Sequence, residues 1–96
     1  MLKRKGFRDS DKVKVTFVLP EGSPPASVVG DFNDWDPEAN RLIRRSNQTY
    51  STAVILEPHQ RYAFRYRTED GEWFNEPEAD AQEANEFGEQ NSILIT

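Results

Sequence analysis

Arg61-Tyr62-Ala63-Phe64-Arg65-Tyr66-Arg67-Thr68 alternates aromatic with small or basic residues. Successive side chains of a strand point to opposite faces, so Tyr62, Phe64 and Tyr66 share one face and Ala63, Arg65 and Arg67 the other. The aromatic face needs a core and the basic face needs water, which is the pattern of a half-buried antiparallel strand.

Outward from this stretch the pattern repeats in short pieces. Val13, Val15, Phe17 and Leu19 alternate with Lys14, Thr16 and Val18. Ser27–Gly30, Arg41–Arg45, Tyr50–Leu56, Trp73-Phe74 and Ile93-Leu94-Ile95 read as further strands. Between them lie turn signals: Pro20-Glu21-Gly22-Ser23-Pro24-Pro25, Ser46-Asn47-Gln48, Glu57-Pro58-His59-Gln60 and Glu69-Asp70-Gly71-Glu72. Asp36-Pro37-Glu38-Ala39 is predicted as one capped helical turn, with proline at its first position. Residues 75–91 are polar, acidic and irregular, with Gly88 at a turn. There is no long helix and no internal repeat. Six or seven short strands at regular turn spacing predict an all-β chain folded as an antiparallel β-sandwich. Residues 1–10 lack periodicity and are predicted to be a frayed basic tail, with residues 11–96 forming a single domain.

Composition narrows the functional classes. The apolar fraction is 35%, so the core must be thin and built on the two tryptophans, three tyrosines, six phenylalanines and the β-branched residues. There is no cysteine and one histidine, His59, which leaves little for a metal centre or for acid–base chemistry; no cofactor is expected. No apolar segment follows the basic N-terminus and none approaches the length of a membrane span, so a cytoplasmic setting without membrane contact is expected. Residues 1–14 hold six basic and two acidic side chains, whereas residues 69–96 hold nine acidic and no basic ones. That acidic second half is the wrong sign for a nucleic-acid surface.

Catalysis has little support. Paired acids acting on a glycosidic bond need a fixed separation across a cleft, and the acids here cluster on turns. Asp31, Asn33, Asp34 and Asp36 faintly resemble a calcium loop, but Trp35, Asp36 and Leu42 stand at positions where that loop needs other residues; turn and cap chemistry accounts for them better. Gly30, Gly71 and Gly88 are isolated turn glycines, not a phosphate cradle.

Binding fits better. Val28-Val29-Gly30-Asp31-Phe32-Asn33-Asp34-Trp35 runs from an apolar strand through a glycine turn to an indole on a polar loop, and Trp73 follows a similar turn. Two indoles on polar turns suit a flat partner such as a sugar ring. Arg65, on the outward face of its strand, would donate to ring or bridging oxygens, and Asn91 could donate and accept at once. Structural alternatives stand beside each role. Trp35 could cover one end of the core. Trp73 could pair across strands with Tyr62 or Tyr66. Arg65 could pair with Glu72 or Glu76, and Phe87 could plug the acidic loop.

The order of these features resembles the family 48 carbohydrate-binding modules, the domains related to the early-set domain of isoamylases and branching enzymes and to the glycogen-binding domain of the AMP-activated kinase β subunit. The carrying residues are Val29-Gly30-Asp31-Phe32-Asn33-Asp34-Trp35, Leu56-Glu57-Pro58, Tyr62-Ala63-Phe64-Arg65-Tyr66, Asp70-Gly71-Glu72-Trp73 and Phe87-Gly88-Glu89-Gln90-Asn91-Ser92. The resemblance implies an immunoglobulin-like, early-set sandwich of about seven strands. It implies non-catalytic binding of α-1,4-glucan (glycogen, starch or maltooligosaccharide) by stacking on Trp35 and Trp73. It carries the basic role onto Arg65, the bulky apolar role onto Phe87 and the amide role onto Asn91. The family's hydroxyl position falls on Glu89, a departure. A glucan-metabolising enzyme is a further partner that the resemblance allows, and the acidic segment offers charge for such docking. The chain itself is expected to be a monomer or weak dimer.

Overall fold

The computed structural model describes all of residues 1–96. Nine strands follow in order: β1 (Leu2–Phe7), β2 (Ser10–Leu19), β3 (Ala26–Gly30), β4 (Ile43–Arg44), β5 (Tyr50–Leu56), β6 (Arg61–Thr68), β7 (Trp73–Phe74), β8 (Ala81–Ala84) and β9 (Gln90–Ile95). One sheet has the order β1-β2-β5-β4 and the other β3-β6-β9-β8, with β7 also paired to β6. Every pairing is antiparallel. The chain is an all-β sandwich, compatible with the immunoglobulin-like architecture.

The core forms where the inward faces meet. Val15, Phe17 and Leu19 of β2, Val28 of β3, Phe64 and Tyr66 of β6 and Leu94 of β9 belong to one buried cluster. Their spacing by two is the strand period that marked these segments in the sequence. Aromatic rings tie the two sheets together: Phe17 lies 5.2 Å from Phe64, edge to face, and 5.6 Å from Phe32, nearly stacked. Phe74 sits 5.1 Å from Tyr66.

Three local expectations are corrected. Residues 1–10 are not a frayed tail: Leu2–Phe7 pair along β2, from Leu2 opposite Phe17 to Gly6 opposite Val13. Only Leu2 of that strand packs on the core, so main-chain hydrogen bonds hold the strand and no apolar period announces it. Residues 75–91 are not wholly irregular, because Ala81–Ala84 pair with β9 as a fully exposed edge strand. Arg4 reaches Asp80 at 2.5 Å, which joins the β1 edge to the segment leading into β8. Finally, Asp36–Ala39 closes as a turn rather than a helix: Asp36 accepts from the Glu38 amide at 2.9 Å, and the one helical piece is the 3-10 turn Asp31–Asn33.

A buried polar node completes the interior. Glu76 is fully buried, and its Oε1 accepts from the Tyr66 hydroxyl at 2.8 Å and from the Met1 amine at 2.7 Å. Its Oε2 accepts from the Glu78 amide at 2.9 Å, and its own amide donates to Ser92 Oγ at 2.9 Å. A buried carboxylate is tolerated when its lone pairs are matched by donors in this way. Burial first, and then the Glu76 charge, push the Tyr66 hydroxyl far above the ordinary tyrosine range.

Candidate functional site

Gly30 ends β3 against β6. A Cβ there would lie 2.6 Å from the Ala63 carbonyl oxygen and 2.7 Å from Phe64 Cβ, so only glycine lets the backbone approach this closely. The chain then turns tightly. Asn33 clips the turn from inside, accepting from the Gly30 amide at 3.0 Å and donating to the Val28 carbonyl at 3.0 Å and to Asn40 Oδ1 at 2.8 Å. Phe32 points inward to the core, and this removes the need for Trp35 to close that end. Trp35 is half-buried and lies outside the core cluster. Its backbone is left-handed, φ 57°, immediately after Asp34 at the same φ. A bulky residue pays roughly 1–2 kcal/mol for that conformation. The Trp35 amide bonds to the Gly30 carbonyl at 3.0 Å, and its indole Nε1 donates to Asp31 Oδ1 at 3.0 Å.

On β6, the outward parity expected of Arg65 holds: Val29 stands opposite Arg65 and Val28 opposite the core residue Tyr66. Val29 and, on β9, Ile93 are fully buried yet outside the core cluster, on the same outward side as Arg65. β7 pairs Trp73 with Arg67 and Phe74 with Tyr66, so Trp73 faces out beside the arginines and Phe74 faces in. Trp73 is therefore not a cross-strand partner of Tyr62 or Tyr66. The guanidinium carbons of Arg65 and Arg67 each lie 5.5 Å from the Trp73 ring centre, within cation–π range. Trp73 keeps 41% of its surface exposed.

Arg65 itself is 9% exposed and donates from Nη1 to Glu89 Oε2 at 2.6 Å, not to Glu72 or Glu76. Its Nε is buried without a partner, as is the Nε of Arg67. Asn85 shapes the loop that carries Glu89: its Oδ1 accepts from the Phe87 and Glu89 amides at 2.9 and 3.1 Å, and its Nδ2 donates to Asn91 Oδ1 at 3.2 Å. Gly88, at φ 79°, completes that turn. Phe87 is no plug, being 81% exposed.

Trp35, Arg65, Trp73, Phe87, Glu89 and Asn91 all line one open cavity of about 770 Å³, together with Glu83, Ala84, Asn85 and Glu86. Two residues that position this set had no assigned role in the sequence: Asn85, which folds the Phe87 loop, and Arg67, which lies beside Trp73. Their side chains work through local hydrogen bonds or cross-strand register, which only the folded backbone specifies. Asn33 and Asp36 are committed to turn bonds, as the sequence suggested over a metal loop, whereas Asp31 is committed to the Trp35 indole and the Ala63 amide.

The sequence model for carbohydrate-binding module 48, the isoamylase N-terminal domain, matches residues 8–81. The chain belongs to this family. The family is one of non-catalytic carbohydrate-binding modules, so the open aromatic cavity belongs to a protein of that class. The module is 30% identical over 84 residues to the amylopullulanase of Thermoanaerobacter thermohydrosulfuricus, an alignment covering 75% of the module and 6% of the enzyme. The module thus spans a small part of that relative. The family match stops short of Phe87, Glu89 and Asn91, and tertiary structure brings these three beside the tryptophans.

Proposed function

We propose that the module binds α-1,4-glucan by stacking glucosyl rings on Trp35 and Trp73, with Arg65 and Asn91 donating to sugar oxygens. The convergence of both indoles on one open cavity with these two donors carries the reading. An indole presents a flat apolar face to the C–H face of a pyranose. Asn91 Oδ1 is taken by Asn85, which leaves its amide N–H groups for a ligand. Arg65 uses one donor on Glu89, and its other terminal nitrogen has no protein acceptor. The name of the amylopullulanase relative supports an α-glucan as the polysaccharide.

Two stacked rings contribute about 0.5–1.5 kcal/mol each and three or four hydrogen bonds about 0.5–1.5 kcal/mol each. Ordering the ligand offsets part of this, so a single short chain binds on the order of 10 μM to 1 mM. Glycogen, with many chain ends, gains by multivalency. Calorimetric titration with maltoheptaose and with glycogen tests the proposal. Heat from both glucans, with affinity weakened by up to about tenfold in Trp35→Ala and in Trp73→Ala, is the expected result; a folded protein that gives no heat with either glucan would falsify it.

A further inference from the structure

We propose that Glu89 sets the charge class of the ligand, admitting uncharged glucan and rejecting chains that carry phosphate monoesters. This refines the glucan-binding reading above and rests on it. Arg65 and Arg67 lie beside one indole, and each has a buried Nε without a partner. The Arg65 guanidinium, which lines the cavity, would by itself form an anion site, since its planar fork matches phosphate and carboxylate. Glu89 supplies that anion from within the chain, 2.6 Å from Arg65 Nη1. Its placement is built rather than incidental: the Asn85 carboxamide accepts the Glu89 amide, and Asn85 is tied in turn to Asn91 of β9.

The rest of the cavity reinforces the sign. Glu83 and Glu86 also line it, and Arg65 is the one basic residue among the lining side chains. Glu83 pairs with Arg61, which lies outside the lining, and Glu86 has no ion pair. A phosphate group entering here meets the unpaired Glu86 carboxylate and a guanidinium already neutralised by Glu89. A hydroxyl group meets the same donors without that repulsion. The charge of the ligand, not its ring shape, is what Glu89 reads.

The test titrates the full chain and Glu89→Gln with maltoheptaose and with maltoheptaose phosphorylated at its 6-positions, followed by tryptophan fluorescence. At low ionic strength the wild type is expected to bind the neutral chain about tenfold or more tighter than the phosphorylated one, a gap that narrows as salt shortens the screening length. In Glu89→Gln the ratio of the two affinities is expected to fall to about unity, because the paired guanidinium becomes available to phosphate. Equal affinity of the wild type for both chains overturns the inference while leaving glucan binding intact. An unchanged ratio in Glu89→Gln removes Glu89 as the determinant. Failure of the wild type to bind neutral maltoheptaose overturns the glucan reading and this one with it. The wild-type comparison stands independently of how well the variant folds.

Discussion

The Trp35 indole donates to one oxygen of the Asp31 carboxylate at 3.0 Å, and the other oxygen accepts the Ala63 amide of β6 at 2.8 Å. A single side chain thus locks the ring to its own turn and the turn to the central strand of the sheet. That bridge explains how a half-exposed indole on a polar loop keeps a fixed orientation.

Asp31→Ala is expected to release the ring. Losing two hydrogen bonds from exposed positions should lower stability by about 1–2 kcal/mol. Affinity for maltoheptaose should fall about threefold to tenfold, because the ring must be ordered on binding. Denaturant unfolding and fluorescence titration read the two effects separately. Unchanged affinity in a folded variant would remove Asp31 as a positioning residue.

The left-handed backbone of Trp35 separates stability from binding. Both Trp35→Ala and Trp35→Gly should lose the stacking surface and weaken maltoheptaose binding by about tenfold. Glycine relieves the φ 57° backbone where alanine does not, so Trp35→Gly should be the more stable of the two by about 1 kcal/mol. Thermal melting of the pair decides; a less stable glycine variant would show that the left-handed conformation is not the source of strain.

His59 offers a control away from the cavity. It occupies a turn at φ 56° and does not line the site. His59→Gly should stabilise the fold by about 0.5–1 kcal/mol, the strain relieved exceeding the added freedom of the unfolded chain. A domain of this size should gain a few degrees in Tm. Maltoheptaose affinity should not move.

Tyr66 and Glu76 predict a direction in pH. Burial and the neighbouring carboxylate raise the Tyr66 pKa in the folded state above its ordinary value of about 10. The folded state therefore holds the phenolic proton where the unfolded state has released it. The stabilisation is fully present below about pH 10 and is lost as pH climbs above that value. Absorbance titration should show the Tyr66 ionisation coinciding with alkaline unfolding. Tyr66→Phe should remove that steep alkaline limb and cost about 1–3 kcal/mol at neutral pH, since Glu76 loses a buried donor.

Much of the fold was legible because one face of each main strand is buried. Val13–Leu19 and Arg61–Thr68 carry the two-residue period that burial on one side imposes, and the intervening turns announce themselves through glycine, proline and asparagine. β1 and β8 were not legible. Both are edge strands held by main-chain hydrogen bonds, which leave no imprint on side-chain pattern.

The sequence by itself determined the residue types of the cavity: the two indoles, the outward Arg65, and the Phe87–Asn91 loop. Tertiary structure decided what they do to one another. It gave the core to Phe32 and so left Trp35 at the surface, set Trp73 beside both arginines through the β6–β7 register, and brought Glu89 onto Arg65 across a sequence separation of 24 residues. Strand period is local and can be read along the chain. Which indole is buried, and which carboxylate neutralises which guanidinium, depends on turns and strand pairings that exist only once the two sheets have closed.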